Sequence, residues 1–180
     1  MVERQKKERF GLSLPINERD FLIESNAIEG VFDNDSLNQA ILAWKDIRND
    51  TILSVRTILQ THKTLMINLD LKPDEKGEFR KNPIYVGNRQ IGYREQLSWE
   101  KIPSAIEGWI DKMNSSIGTK ENLENLNKEL HVAYEEIHPF IDGNGRTGRI
   151  FMNWWRLRNN LPILIIKNSE KLSYYSWFRK

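Results

Sequence analysis

HPFIDGNGRTGR, His138 to Arg149, packs a histidine, an acid, three glycines and two arginines into twelve residues. Glycine loses more entropy on folding than any other residue, so such a cluster points to a backbone that must approach something closely. Pro139 disfavours the α conformation at His138, which predicts that a preceding helix stops there. His138 is then an imidazole at a helix exit, the side chain best matched to proton transfer near neutral pH. If Gly145 or Arg146 opens the next helix, the amides of Gly143, Asn144 and Gly145 point into a helix N-terminus, an anion-binding arrangement. Arg146 and Arg149 then share one helix face and suit phosphate oxygens. Asp142, just before the glycines, is the kind of single carboxylate that Mg²⁺ takes beside phosphate and water. The inferred chemistry is transfer from a nucleotide polyphosphate to an acceptor. No G-x-x-x-x-G-K-(S/T) loop occurs, so the P-loop class is excluded.

Working outward, the chain of 180 residues reads as one domain with no linker, repeat or low-complexity tract. Residues 17–29 read as a helix with Asn17 as N-cap and Gly30 just past its end. Two further helices follow. One carries Leu37, Ile41, Trp44 and Ile47 on a face, the next Ile52, Val55, Leu59, Leu65 and Met66. Between 71 and 96 the helical period breaks. Ile84, Tyr85 and Val86 alternate before Gly87-Asn88, which reads as a hairpin turn. Helices resume at Pro103 with Ile106, Trp109, Ile110 and Met113. The next has Leu123, Leu126, Leu130, Ala133, Tyr134 and Ile137, and another covers 149–160. The expectation is an all-α fold with one short β-hairpin. His62 and His131 read as packing residues, and Trp154-Trp155 as core or interface.

Net charge is +2, with 27 basic and 25 acidic residues, too balanced to argue for nucleic acid. Cysteine is absent, excluding disulfides and thiolate metal sites. There is no membrane-length apolar run, and MVERQKKERF is too charged for a signal peptide, so the expected location is the cytoplasm.

His138 to Arg149 resembles the signature of the Fic family, HPFx(D/E)GNGRxxR, with every specified position filled. Gly77 to Arg80 (GEFR) and the hairpin around Tyr85 resemble the family's flap, and the likeness runs from about Thr51 onward. The resemblance implies a Fic-like helical domain that transfers AMP from ATP to a protein hydroxyl. It makes His138 the base for a target Ser, Thr or Tyr, Asp142 the Mg²⁺ ligand and Phe140 the loop's anchor. The loop from Asp142 through Gly143, Asn144, Gly145, Arg146, Thr147, Gly148 and Arg149 would hold the nucleotide. Val86, Gly87, Asn88 and Arg89, with Tyr174 and Tyr175, occupy positions resembling those that contact adenosine, and the flap edge would dock the target. The intact GNGR favours AMP transfer over the phosphotransfer of the death-on-curing type.

Ser25 to Gly30 (SNAIEG) resembles the family's inhibitory motif (S/T)xxxE(G/N). The resemblance pairs Glu29 with Arg149 across the γ-phosphate site and lets Ser25 steady the Glu or the loop. Residues 1–50 would then be N-terminal helices, with an inhibitory helix at 17–30, packed on a Fic core at 51–180. Two rivals stand beside this reading: a deadenylylating hydrolase using Glu29 and Asp142, and an ATP-sensing module without catalysis. The partner expected is a target protein, the chain itself included, with a homodimer left open and neither nucleic acid nor membrane involved.

Overall fold

The computed structural model describes residues 14–88, 92–117 and 122–178. Seven helices and one hairpin make up the fold among these residues. Helix α1 (Ile16–Ile28) starts from Pro15, whose φ of −50° is preset for a first turn. Asn17 therefore lies inside the helix and is not its cap. Gly30 ends it at φ +73°, a left-handed conformation that costs glycine nothing. Helix α2 (Asn34–Ile47) is capped by Asp33, whose carboxylate accepts the Ser36 amide at 2.7 Å. Ser54 caps α3 (Val55–Met66) in the same way through the Thr57 amide.

Strands β1 (Tyr85–Asn88) and β2 (Gly92–Glu95) pair antiparallel, with Gly87 opposite Tyr93 and Asn88 opposite Gly92. Gly87-Asn88 is thus strand, not turn. Residues 89–91, Arg89 among them, lie outside the described residues. Helix α4 (Ile102–Ser115) carries Pro103 in its first turn. Helix α5 (Leu123–Ile137) ends at His138, which adopts φ +49°. Pro139 bars the right-handed helical region there, and the left-handed one lets the His138 amide still close on Tyr134 O at 3.0 Å. Helix α6 (Asn144–Arg158) begins two residues before Arg146 and runs unbroken through the tryptophan pair. Helix α7 (Lys171–Tyr175) is a short C-terminal piece.

One core unites these helices. It includes Phe21 and Trp44 from α1 and α2, Ile58 and Met66 from α3, and Trp109, Tyr134, Phe151, Trp154 and Trp155 from α4 to α6. Trp154 and Trp155 are fully buried, so they belong to this core. Their indole N–H groups donate to Asp50 O and Ser116 Oγ, so the large apolar rings are buried without an unpaired donor. Trp44 donates to the buried Glu18, which also pairs with Arg48 at 2.7 Å and fastens α1 to α2. Ile52, expected on a buried face, is 63% exposed, because the capped helix begins only after Ser54. A second, smaller cluster of Ile28, Met152, Ile166 and Tyr174 seats the C-terminal segment against the end of α1. No helix among the described residues is long and apolar enough to cross a membrane.

Candidate active site

The loop between α5 and α6 is built as a rigid cradle. Phe140 is fully buried and stacks on His62 with ring centroids 3.7 Å apart and planes within 6°. His62 Nδ1 accepts the Gly77 amide at 2.9 Å. Its proton is therefore on Nε2, which donates to Asp142 O at 3.1 Å. Burial pushes this imidazole down to about 4, so it stays neutral and keeps that tautomer. The Asn144 side chain returns to Phe140, accepting its amide and donating to its carbonyl, both at 2.9 Å. Three hydrogen bonds thus fix the peptide groups on both sides of Phe140 and the one after Asp142 before the α6 helix starts.

Arg80 fixes the other side. Its Nε donates to His138 O at 2.8 Å, and its remaining nitrogens donate to Asn82 O, Leu97 O and Ile137 O. Its own amide donates to Pro139 O at 2.9 Å. One buried guanidinium therefore caps the C-terminus of α5 and holds both feet of the hairpin.

His138 itself donates from Nδ1 to Glu135 O at 3.3 Å, which leaves Nε2 with its lone pair. Burial, with Arg80 nearby, pushes its pKa down to about 4, so the ring is neutral at pH 7. Next to it, the amides of Asn144, Gly145 and Arg146 form the first turn of α6, whose N–H groups lack intrahelical acceptors. Gly143 takes φ +77° to open that turn, and its amide donates to Asp142 Oδ1 at 2.5 Å. Asp142 is the exposed carboxylate of this loop, and no cluster of three or more metal-ligating side chains occurs among the described residues. That matches the protein share of a Mg²⁺ held mainly by phosphates.

Arg146 is 97% buried by exposure of 3%. One terminal nitrogen donates weakly to Met66 Sδ at 3.5 Å, and Nε and the other terminal nitrogen have no hydrogen-bond partner among the described residues. Arg149 is equally buried but fully engaged. It donates to Ser25 Oγ, Ser25 O and Glu29 Oε1 at 2.9, 2.9 and 2.7 Å, and to the Tyr174 hydroxyl at 3.2 Å. Glu29 lies against Gly145: a Cβ there would come 2.5 Å from Glu29 Oε1. Ser25 steadies Arg149 and not the carboxylate.

The sequence candidates thus divide. His138, Asp142, Gly143, Gly145, Arg146 and Arg149 converge on one end of α6. Asn144 joins them by its amide, its side chain being spent on the loop. Thr147 faces the core, its hydroxyl bonded to Gly143 O, Asn144 O and Tyr134. Gly148 lies under α5, where a Cβ would come 2.6 Å from Glu135 Oε1. Val86 and Gly87 are exposed on β1. Tyr174 is buried between Arg149 and His131 Nε2, at 3.2 and 2.8 Å, with Tyr175 half-buried beside it. Sequence reasoning missed His62 and Arg80 as supports of the loop. The only available signals were a polar residue on an apolar face for His62 and the GEFR stretch for Arg80.

The fold and site define an all-α domain with a pinned histidine loop feeding a glycine-lined helix start. The chain belongs to the Fic/DOC family, whose model matches residues 52–155. It is 33% identical over 127 residues to the protein adenylyltransferase Fic of Drosophila ananassae, covering 71% of this chain and 24% of that relative. The Drosophila melanogaster counterpart is 32% identical with the same coverage. The chain spans about a quarter of the length of these curated relatives. Among solved structures, a Fic domain containing signaling protein from Bacteroides thetaiotaomicron superposes with a TM-score of 0.77 at 21% identity, covering 98% of this chain and 74% of that one. Fic-1 from C. elegans gives 0.66 at 20% identity, covering 91% and 55%. At these identities the structures speak for the fold.

Proposed function

We propose that this chain is a protein adenylyltransferase that moves AMP from ATP to a Ser, Thr or Tyr hydroxyl of a target protein, and that α1 holds it inactive. The observation that carries the reading is Arg146, a buried guanidinium with two nitrogens lacking hydrogen-bond partners among the described residues, beside the open amides of α6. Donors kept out of water without acceptors are costly, and a phosphate at this position supplies acceptors together with negative charge. The target oxygen attacks the α-phosphorus. A new P–O bond forms, the bond to the bridging oxygen of the β-phosphate breaks, and pyrophosphate leaves. The hydroxyl proton passes to Nε2 of His138, which is neutral and so able to accept it. Mg²⁺ would be held by Asp142 and neutralise phosphate charge. The exposed strand β1, carrying Val86 and Gly87, offers an edge for a target segment.

The brake follows from the Arg149 contacts. Glu29 takes the cation and the surface of Gly145 that a terminal phosphate needs. The Glu29 side chain is also 33% exposed, so water reaches it, which supports a second reading in which Glu29 assists hydrolytic removal of AMP.

The test incubates wild type, Glu29→Gly and Glu29→Gly/His138→Ala with Mg²⁺-ATP and a cell lysate, and reads added masses. AMP-sized additions are expected in Glu29→Gly, faint in wild type and absent from the double variant. Phosphate-sized additions, or none in any sample, would overturn the transferase reading.

A further inference from the structure

Behind His138 stands a carboxylate that the transfer chemistry above does not use. Glu135 lies one turn earlier on α5, with Oε2 3.9 Å from His138 Nδ1. Its side chain is only 14% exposed, and Oε1 is buried without a hydrogen-bond partner among the described residues. The room for Oε1 is made across the helix interface by Gly148, where any Cβ would sit 2.6 Å away. A carboxylate buried with an unsatisfied oxygen weakens a fold unless it is used, and such groups gather at functional sites.

We propose that Glu135 is a positioning residue for His138: its carboxylate, set behind Nδ1, balances the positive charge that the imidazole gains when Nε2 takes the target's proton. This rests on the transferase reading given above. The charged and titratable groups around Glu135 are His138, His131 and Tyr134 on its own helix, Arg149 on α6, Glu29 at the end of α1, and Tyr174 and Tyr175 on α7. Burial pushes its pKa up to about 7, Arg149 pulls it down, and Glu29 pushes it further up. At rest, the carboxyl is therefore poised between its two forms near neutral pH. Departure of Glu29 removes a repelling negative charge and favours the ionised form. The same movement that clears the phosphate site thus also strengthens the base. Glu29 acts on both halves of the reaction.

The test compares Glu29→Gly with Glu29→Gly/Glu135→Gln in two assays from pH 6 to 8. The first is AMP transfer, with ATP affinity measured separately by calorimetry. The second is acylation of His138 by diethyl pyrocarbonate, followed by peptide mass, which reports the strength of Nε2 without needing any transfer. Glutamine keeps the shape and removes the charge. The expected result is transfer at least tenfold slower with ATP affinity within twofold, loss of the acid limb near neutral pH, and slower His138 acylation at pH 7.5. The melting temperature should be equal or higher, because a buried carboxyl is being neutralised. Equal acylation rates across the range overturn the inference, as does a lower melting temperature accompanying the slower transfer. If neither protein transfers AMP, the transferase reading fails, and acylation alone decides the role of Glu135: slowed in the glutamine variant it supports the inference, unchanged it ends it.

Discussion

The three histidines of this chain make stability strongly pH-dependent, and the slope can be worked from the structure. Burial pushes His62 and His138 down to about 4 and His131 to about 3, from an ordinary 6.5. Between pH 5 and 6 all three are neutral in the folded protein and largely protonated when unfolded. A depressed histidine contributes stability above its unfolded pKa, and that contribution is lost as pH falls toward the folded pKa. Glu135 works in the opposite sense. Raised from 4.5 to about 7, it is protonated in the folded state and ionised when unfolded across the same window. Unfolding therefore takes up about three protons and releases about one. A net uptake of about two protons makes stability climb with pH by roughly 2.5 kcal/mol per unit. For a domain with the usual 5–15 kcal/mol, a few units of acidification exhaust the total. Urea melts at half-unit steps from pH 5 to 6.5 measure the slope directly. Glu135→Gln should steepen it toward three protons, roughly 4 kcal/mol per unit. A flat or falling curve in the wild type would refute the argument that these imidazoles are buried neutral.

Two further outcomes follow from single contacts. Arg80→Gln shortens the side chain and loses the charge and most of the donors that hold His138 O and the hairpin feet. It should destabilise the fold by roughly 2–4 kcal/mol, with faster amide exchange at 84–88 and 92–97 than elsewhere. Tyr174→Phe removes the hydroxyl shared by His131 and Arg149. A loss of roughly 1–3 kcal/mol in urea melts is expected, and in a wild-type background a measurable rise in AMP transfer, because Arg149 is held less firmly beside Glu29.

The sequence was most informative where chemistry is written locally. The break at His138-Pro139 and the glycine beyond α1 each depend on neighbours within a turn, and the structure repeats them. So does the convergence of His138, Asp142 and the two arginines, because one loop and one helix start carry all four. Errors arose where local signals tie. Asn17 is a good cap, but Pro15 precedes it and starts the helix earlier. Gly87-Asn88 is a good turn, but the pairing of Gly87 with Tyr93 and of Asn88 with Gly92 carries the ladder through it. The supporting residues were illegible for a different reason. His62 meets Asp142 across 80 positions, and Arg80 meets His138 across 58, so no window of sequence contains both partners. The contact of the Tyr174 hydroxyl with Arg149 is likewise set by the packing of the C-terminal segment on α1, not by any local signal.

Gly145 has a consequence for how such a protein is tuned over evolutionary time. In the structure its bare surface seats the Glu29 carboxylate, and on the proposed reading the same surface seats the substrate's phosphates. A residue shared by competitor and substrate is no dial, since enlarging it penalises both. Selection for a looser or tighter resting state must act on the far side of Arg149, at Ser25 and Tyr174, where variation changes how long Glu29 stays without altering what replaces it.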